Sequence, residues 1–349
     1  MQSAAQTRAA LLAHARAYPA LQIQDVFKFL HQSTFGCEHL VSSLELAAQR
    51  IAAEPHECIG TVEPLDGEYS RVPLCYLDRG LGIETFAKLF AASAKTEPNG
   101  ADALQQKLAV ATAMVGDGEL PFALAQWEAA VNDWAQHGYP AVHHSDTFRE
   151  TYRPSYRVIH NRYIPFLPLF AELDKRLSRD RVILAVDGGS ASGKTTLGGW
   201  LADLYGAAVF HIDDFFLQPH QRTPDRLAQV GGNVDHERFL EQVLKPLSKG
   251  EDVVFQPFDC STMTFAAKRR VSPKRLNVVE GVYSMHPQLA PYYDLSVFLD
   301  VTQDVQRARI LHRNSPAMAA RFFNEWIPLE RRYFTKTQIK QRCDITVKE

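Results

Sequence analysis

The chain has 349 residues, of which 46% are hydrophobic and 22% are charged, and its formal net charge at pH 7 is −2. This composition is ordinary for a globular protein, and the length predicts two domains. The balanced charge gives no electrostatic reason to expect nucleic acid or an anionic membrane as a partner. No apolar run approaches the length of a membrane span.

Cysteine usage indicates the compartment. The five cysteines are scattered along the chain, and no two of them form a C-x-x-C pair. Free thiols in a reducing compartment explain an odd, scattered set better than a disulfide framework does, which predicts a cytoplasmic protein. The sequence leaves the oligomeric state open, a homo-oligomer included.

Residues 1–175 are predicted to form a mainly helical domain, whose role the sequence does not indicate. Alanine and leucine recur there at helical spacing, and proline and glycine interrupt the pattern. The predicted helices are Thr7–Ala17, Ile23–His31, Ser43–Ala53, Ile83–Ala94, Ala101–Val115 and Leu120–His137.

Two features of this half could bind a ligand. The first is a scattered set of potential metal ligands, whose spacing fits no standard motif: His31, Cys37, His39, His143 and His144. The second is the run Thr151–His160, which is rich in Arg and Tyr and could face an anion. Isolated His residues are usually packed or exposed, so we do not expect a metal site at the first. Tyr and Arg are also favoured at interfaces, so we expect core or interface packing at the second.

Residues 176–349 are predicted to form an α/β domain of the P-loop NTPase type. Strand patterns alternate there with helical ones, which predicts a mostly parallel sheet with helices on both faces. Ligands of such sheets bind beyond the carboxyl ends of the strands. The candidate strands are Val182–Val186, Ala208–Ile212, Val253–Phe255, Leu276–Val279, Leu295–Val301 and Asp344–Val347.

A phosphate-binding loop follows the first of these strands. Gly188–Thr195 reads GGSASGKT and runs into a helical stretch. In such a Walker A loop, small residues let successive N–H groups face the phosphates of a nucleotide. Lys194 can reach the β and γ phosphates, and the Thr195 hydroxyl can ligate Mg²⁺. The predicted nucleotide-binding residues are Gly188, Gly189, Ser190, Ala191, Ser192, Gly193, Lys194, Thr195 and Thr196.

Acidic residues follow two further strands. Asp213 and Asp214 come directly after the second strand, and Glu280 comes after the fourth. A carboxylate after the second strand can take a proton from an attacking hydroxyl, and one after the fourth is expected near Mg²⁺. The sequence does not decide which of the two aspartates is the base, and exposed turn residues are the alternative.

Other candidates lie further along the chain. Asp235 could hold substrate hydroxyls or cap the helix that follows it, and Phe258 could form an aromatic wall of the same pocket. Arg307, Arg309 and Arg313 share one helical stretch. They could close over a transferred phosphate, with a solvated helix face as the alternative.

Together these motifs resemble the uridine kinase branch of the P-loop small-molecule kinases, to which phosphoribulokinase and bacterial pantothenate kinase are related. The resemblance covers residues 180–347, close to half of the chain. It rests on the ordered segments GGSASGKTT, IDDFF, NVDHERF, QPFD, VVEGVYS and DVQRARILHR.

The resemblance implies ATP and Mg²⁺ as cofactors and a small hydroxyl compound as phosphate acceptor. It implies that Lys194 and Thr195 bind ATP-Mg²⁺, that Asp213 is the base and that Asp235 binds the substrate hydroxyls. It further implies that Glu280 lies near the metal and that phosphate is bound by Arg307, Arg309 and Arg313. Phe258 stands where the family has Tyr, and His236 is followed by Glu237 instead of Pro. We expect a kinase, with a nucleoside such as uridine as the first candidate acceptor. A pantothenate-, sugar- or vitamin-like acceptor, or a nucleotide-gated regulatory protein, is the alternative.

Overall fold

The computed structural model of the chain describes residues 4–37, 43–56, 60–94 and 100–348. The chain divides into two compact units, Met1–Leu167 and Pro168–Glu349. Within the described ranges, no helix is long and apolar enough to cross a membrane.

The first unit is mainly helical, as the sequence predicts, but it also contains a small antiparallel sheet. Its helices are α1 (Ala4–Ala17), α2 (Ile23–Phe35), α3 (Leu44–Ala53), α4 (Ile83–Ala92), α5 (Gly100–Gly116), α6 (Leu124–Gln136) and α7 (Asp146–Tyr152). The strands β1 (Glu63–Pro64), β2 (Tyr69–Pro73) and β3 (Tyr156–His160) pair in that order. These strands are too short to give a clear alternating pattern, which is why sequence reasoning missed them.

A buried polar network links the helices and the sheet of the first unit. Arg71 in β2 is 2% exposed, and its guanidinium donates to Gln32 and Glu63 over 2.9 and 3.2 Å. Asp25 in α2 accepts a hydrogen bond of 2.9 Å from Nδ1 of the buried His144. Because buried charges are costly unless they are paired, these contacts fix how α2 packs on the sheet.

The second unit has a central parallel sheet of five strands. Its strands are β4 (Val182–Gly188), β5 (Ala208–His211), β10 (Leu276–Glu280), β11 (Leu295–Asp300) and β12 (Ile345–Lys348), in the order β12-β11-β4-β10-β5. Val253–Phe255 forms strand β6 but lies outside this sheet, because it pairs antiparallel with β9 (Arg269–Val271). Between them, β7 (Phe258–Asp259) and β8 (Thr264–Phe265) form a hairpin.

Helices join the strands of the second unit. They are α8 (Leu167–Leu177), α9 (Lys194–Tyr205), α10 (Pro224–Leu227), α11 (His236–Phe239), α12 (Lys245–Lys249), α13 (Gln303–Arg313), α14 (Pro316–Arg321), α15 (Ile327–Thr337) and α16 (Ile339–Arg342). One-turn π-helical segments connect α11 to α12 and α14 to α15. The mostly parallel sheet and its helices confirm the predicted fold class.

The second unit begins at Pro168, earlier in the chain than the expected boundary after residue 175, because it includes helix α8. Phe170 and Leu173 on α8 are fully buried. The Tyr205 hydroxyl at the end of α9 donates to the Phe170 carbonyl over 3.4 Å, and Arg176 donates to the carbonyl of Asp294. These contacts make α8 part of the second unit's core.

Strand register brings three loops together at one edge of the sheet. Strand β10 lies between β4 and β5, and Glu280 at its end is in register with Val186 of β4 and His211 of β5. The segments that follow β4, β10 and β5 are therefore neighbours, and the candidate residues at the ends of these strands share one edge of the sheet.

Candidate active site

The loop after β4 has the backbone shape of an anion cradle. Ala191 and Gly193 have positive φ angles of 59° and 94°, a pattern that turns successive N–H groups inward. Gly188 has φ 150°, and a Cβ atom there would lie 2.6 Å from the Leu299 carbonyl oxygen. Only glycine fits at that position, because the neighbouring atom belongs to the backbone of β11.

The polar groups of this loop fit a polyphosphate. The Lys194 side chain is 8% exposed, and its Nζ donates to the carbonyls of Gly188 and Gly189 over 3.0 and 2.8 Å. The Ser192 hydroxyl is buried and has no hydrogen-bond partner among the described residues. The first N–H groups of α9 have no acceptor within the helix, so they too can bind an anion.

Glu280 connects the loop to β5. Its Oε1 accepts a hydrogen bond of 3.0 Å from the Thr195 hydroxyl and one of 2.6 Å from Nδ1 of His211. Burial opposes ionisation of this carboxyl, but His211, Lys194 and Thr195 together outweigh burial and hold the pKa of Glu280 below its usual range. Glu280 is therefore a carboxylate at neutral pH.

Thr195 and Glu280 fit a hard divalent cation. Their contacting oxygens are a hydroxyl and a carboxylate, which are ligand types that Mg²⁺ accepts. Neither here nor at any other place in the described ranges do three or more His, Cys, Asp or Glu side chains form a group that could bind a metal. His31 packs on Phe35, the Cys37 thiol donates to the Phe90 carbonyl, and His39 lies outside the described residues.

Asp213 lies at the same edge of the sheet as Thr195 and Glu280. It sits in the short 3-10 turn Ile212–Phe215 that follows β5, and it is exposed to solvent. Surrounding protein atoms still raise the pKa of its carboxyl, while the charge of Lys194 opposes the rise and that of Glu280 adds to it. Because the residue is exposed, a substrate can reach its carboxylate.

Asp214 has different surroundings from Asp213. Its carboxylate lies 3.5 Å from Nη1 of Arg269, and its backbone carbonyl accepts a hydrogen bond of 3.2 Å from Arg238. The two adjacent acids thus have different charged neighbours: Arg269 for Asp214, and Lys194 and Glu280 for Asp213. This difference supports Asp213 over Asp214 as the base.

Asp235 and Phe258 lie close to the acidic turn but are largely buried. Asp235 is 5% exposed, caps α11 by accepting from the Arg238 N–H, and also accepts from Gln221. Its own N–H donates to the Phe215 carbonyl over 2.8 Å, which ties it to the turn. Phe258 packs edge-on against Phe265 across the β7–β8 hairpin. The helix cap is therefore formed, and contact of either residue with substrate stays a prediction.

One of the three predicted arginines contacts the loop. Arg309 on α13 donates to the Ala191 carbonyl over 3.3 Å. Arg307 and Arg313 are exposed and lie over the rings of Phe323 and Phe322, at 4.7 and 5.7 Å from the ring centres. The structure therefore brings Arg309 to the phosphate loop. It places Arg307 and Arg313 against the π-helical segment between α14 and α15.

Sequence reasoning missed several residues that shape this site. His211 binds Glu280, and its position two residues before Asp213 on a strand end could have identified it. The fully buried Asp187 accepts hydrogen bonds from Gly188, Met285 and Tyr333, and burial raises the pKa of its carboxyl to about 6. Glu330 on α15 accepts from Ser190 of the loop. Tyr333 and Glu330 follow the loop by more than a hundred residues, so no local pattern connects them.

Comparisons with known proteins agree with the motifs of the second unit. Residues 183–318 match the model of the phosphoribulokinase / uridine kinase family. Uridine kinase-like protein 4 of Arabidopsis thaliana is 28% identical over 149 residues, which are 40% of this chain and 31% of that protein. The uridine kinase of Streptococcus uberis is also 28% identical over 149 residues, which span 70% of its length. A phosphoribulokinase of Synechocystis is 25% identical over 133 residues and is matched over 40% of its length.

Solved structures with similar chains include a possible uridine kinase from Bacillus stearothermophilus. It has 22% sequence identity and a TM-score of 0.38, and the match covers 51% of this chain and 98% of that one. Shikimate kinase from Aquifex aeolicus has 18% identity and a TM-score of 0.25, covering 48% of this chain. On the sequence match over 183–318, the resemblance of the C-terminal region to the phosphoribulokinase / uridine kinase family is confirmed.

Proposed function

We propose that this protein is an ATP-dependent kinase that phosphorylates a hydroxyl group of a small metabolite, with a nucleoside such as uridine as the leading candidate. The observation that supports this most is the position of Asp213. It is exposed to solvent just after the end of β5, at the sheet edge where the phosphate loop and Lys194 lie, so that an acceptor hydroxyl can approach both. The free cysteines of the described residues suit the reducing cytoplasm in which we place the protein.

In the proposed reaction, the loop and Lys194 bind the phosphates of ATP, and Asp213 takes the proton of the acceptor hydroxyl. The hydroxyl oxygen forms a bond to the γ-phosphorus as the bond from that phosphorus to the β–γ bridging oxygen breaks, and ADP leaves. Mg²⁺ held by Thr195 and Glu280 would neutralise charge on the phosphates. Arg309, which already contacts the loop, is placed to stabilise the charge of the transferred group.

Two other functions remain as alternatives. One is a kinase whose acceptor resembles pantothenate, a sugar or a vitamin, since Phe258 and Glu237 depart from the uridine kinase pattern. The other is a regulatory protein that binds a nucleotide without transferring phosphate. A carboxylate with a raised pKa, open to solvent beside the loop, favours an enzyme, because a binding module needs no base.

A panel of acceptors tests the proposal. We expect the purified protein to release ADP from Mg-ATP only when a suitable acceptor is added, with pyrimidine nucleosides first, followed by pantothenate, sugars and vitamins. Saturable release with one class identifies the acceptor. ATP binding without ADP release in the presence of any of these acceptors would contradict the kinase and favour the regulatory alternative.

The second unit is expected to bind nucleotide without the first. A protein truncated to residues 167–349 keeps the loop, the sheet and the whole of α8, whose Phe170 and Leu173 a later start would expose or remove. A unit of this size can bury its own core. Calorimetric titration with a non-hydrolysable ATP analogue measures binding. An insoluble truncated protein, or a folded one without affinity, would mean that residues 1–166 complete the core or the site.

A further inference from the structure

A buried carboxylate holds the phosphate loop from outside. Glu330 is 4% exposed, its Oε2 accepts the Ser190 N–H at 3.0 Å, and its Oε1 accepts the Ser190 hydroxyl. We propose that Glu330 is a positioning residue of the nucleotide site, which fixes the Ser190 peptide and so keeps the phosphate loop in its binding shape. This inference rests on the proposed nucleotide site but does not depend on which acceptor is used.

A second contact from the same helix supports this role. One turn after Glu330, Tyr333 is fully buried and donates from its hydroxyl to Asp187 over 2.9 Å. Asp187 in turn accepts the N–H of Gly188, where the loop begins. Helix α15 therefore holds the loop at two points, and a turn of helix separates the two side chains that do so.

The arginine-bearing helix α13 holds the adjoining peptides. Nε2 of Gln306 donates to the Ser190 carbonyl over 2.9 Å, and Arg309 donates to the Ala191 carbonyl. The Ser190 peptide is thus fixed on its N–H side by Glu330 and on its carbonyl side by Gln306. A loop held in this way before ligand binding loses less conformational entropy when the nucleotide arrives.

Because Glu330 is acidic and lies beside the expected phosphate site, it could instead compete with phosphate for the loop. Its contacts argue against that. Glu330 takes the N–H of Ser190 and not those of Lys194 and Thr195, at the start of α9, where phosphate is expected. It is a buried residue of α15, so moving it away from Ser190 would leave a buried carboxylate without its partners. Burial raises the pKa of Glu330, while the hydrogen bonds from Ser190 and the positive charge of Lys194 oppose the rise.

Equilibrium binding of ADP tests this role without turnover. We expect Glu330→Ala to raise the Kd for ADP about 10- to 100-fold, because two hydrogen bonds to a charged group are lost. Glu330→Gln should restore the Kd to within about threefold, since an amide can accept from the N–H and donate to the hydroxyl oxygen. In turnover, the KM for ATP should rise more than kcat falls, as expected when binding alone is weakened.

Controls separate this role from a general loss of stability. Glu325, exposed and paired with Arg321, is the matched control, and Glu325→Gln should change the Kd less than about twofold. If Glu330→Ala does not fold, the Kd of Ser190→Ala is measured instead, since this change removes only the contact between the Ser190 hydroxyl and Glu330. An unchanged or lower Kd in a folded Glu330→Ala protein, or in Ser190→Ala where that is the deciding variant, would overturn the inference.

The same measurements separate this inference from the proposed kinase activity. A wild-type protein that binds ADP but phosphorylates no acceptor, with a raised Kd in Glu330→Ala, would contradict the kinase and support the inference. Normal phosphorylation by the wild-type protein, with an unchanged Kd for ADP in Glu330→Ala, would support the kinase and contradict the inference about Glu330. A wild-type protein that binds no ADP would overturn both.

Discussion

Replacing Lys194 with alanine is expected to lower ATP-dependent phosphoryl transfer by about 10²–10³-fold, the usual effect of removing one preorganised charge from a reaction centre. The Lys194 ammonium already lies at the loop, bonded to the carbonyls of Gly188 and Gly189. Binding of ATP should replace those carbonyls by phosphate oxygens, so the variant should also bind ATP more weakly. Steady-state rates of ADP formation and calorimetric ATP binding measure the two effects.

A matched lysine gives the control for this variant. Lys249 lies exposed at the end of α12, and Lys249→Ala should leave both quantities unchanged. Thermal melting must show that Lys194→Ala is folded, because the native side chain is mostly buried. Near-normal turnover in folded Lys194→Ala would refute the nucleotide site.

Replacing Asp213 with asparagine is expected to lower kcat by about 10²–10⁴-fold while ATP binding stays near normal. The change keeps the size of the side chain but removes the basic carboxylate. Asp214→Asn is the matched control, since the Asp214 carboxylate lies by Arg269 instead of Lys194. If Asp214→Asn loses the activity and Asp213→Asn keeps it, the base has been assigned to the wrong residue.

The pH profile gives an independent check on Asp213. Surrounding protein atoms raise the pKa of its carboxyl, and a base acts only when it is deprotonated. Activity should therefore be full above this raised pKa and should fall as the pH drops through it, at a higher pH than an ordinary aspartate would give. The residual activity of Asp213→Asn should lack this limb of the profile. An identical acid limb in the variant would assign the titration to another group.

Much of the second unit can be predicted from its sequence, because its chemistry follows strand ends. The run GGSASGKT, the acids at 213 and 214, and Glu280 each lie at, or directly after, the end of a parallel strand. Strand order then brings them together, since β10 lies between β4 and β5. The role of Val253–Phe255 could not be predicted, because a short apolar strand has the same pattern in a central sheet as in a separate pair with β9.

The side chains that contact the site from distant parts of the chain could not be predicted in the same way. Glu330 and Tyr333 contact the loop across more than a hundred residues of sequence, and on their own they are ordinary helix residues. Asp235 fits both a helix cap and a substrate ligand from sequence, and the structure forms the cap. Sequence patterns thus predict candidates for the reacting groups more readily than they predict the side chains that contact the loop from a distance.

The destination of the γ-phosphate tests the central proposal most directly. The wild-type protein is incubated with Mg²⁺, the acceptor that the panel identifies and ATP labelled on its γ-phosphorus, and the products are separated. The proposed mechanism predicts that the label appears in the acceptor as a phosphate ester, in equal amount to ADP, and that Asp213→Asn abolishes it. Label that stays in ATP, or that appears only as inorganic phosphate, would contradict the mechanism.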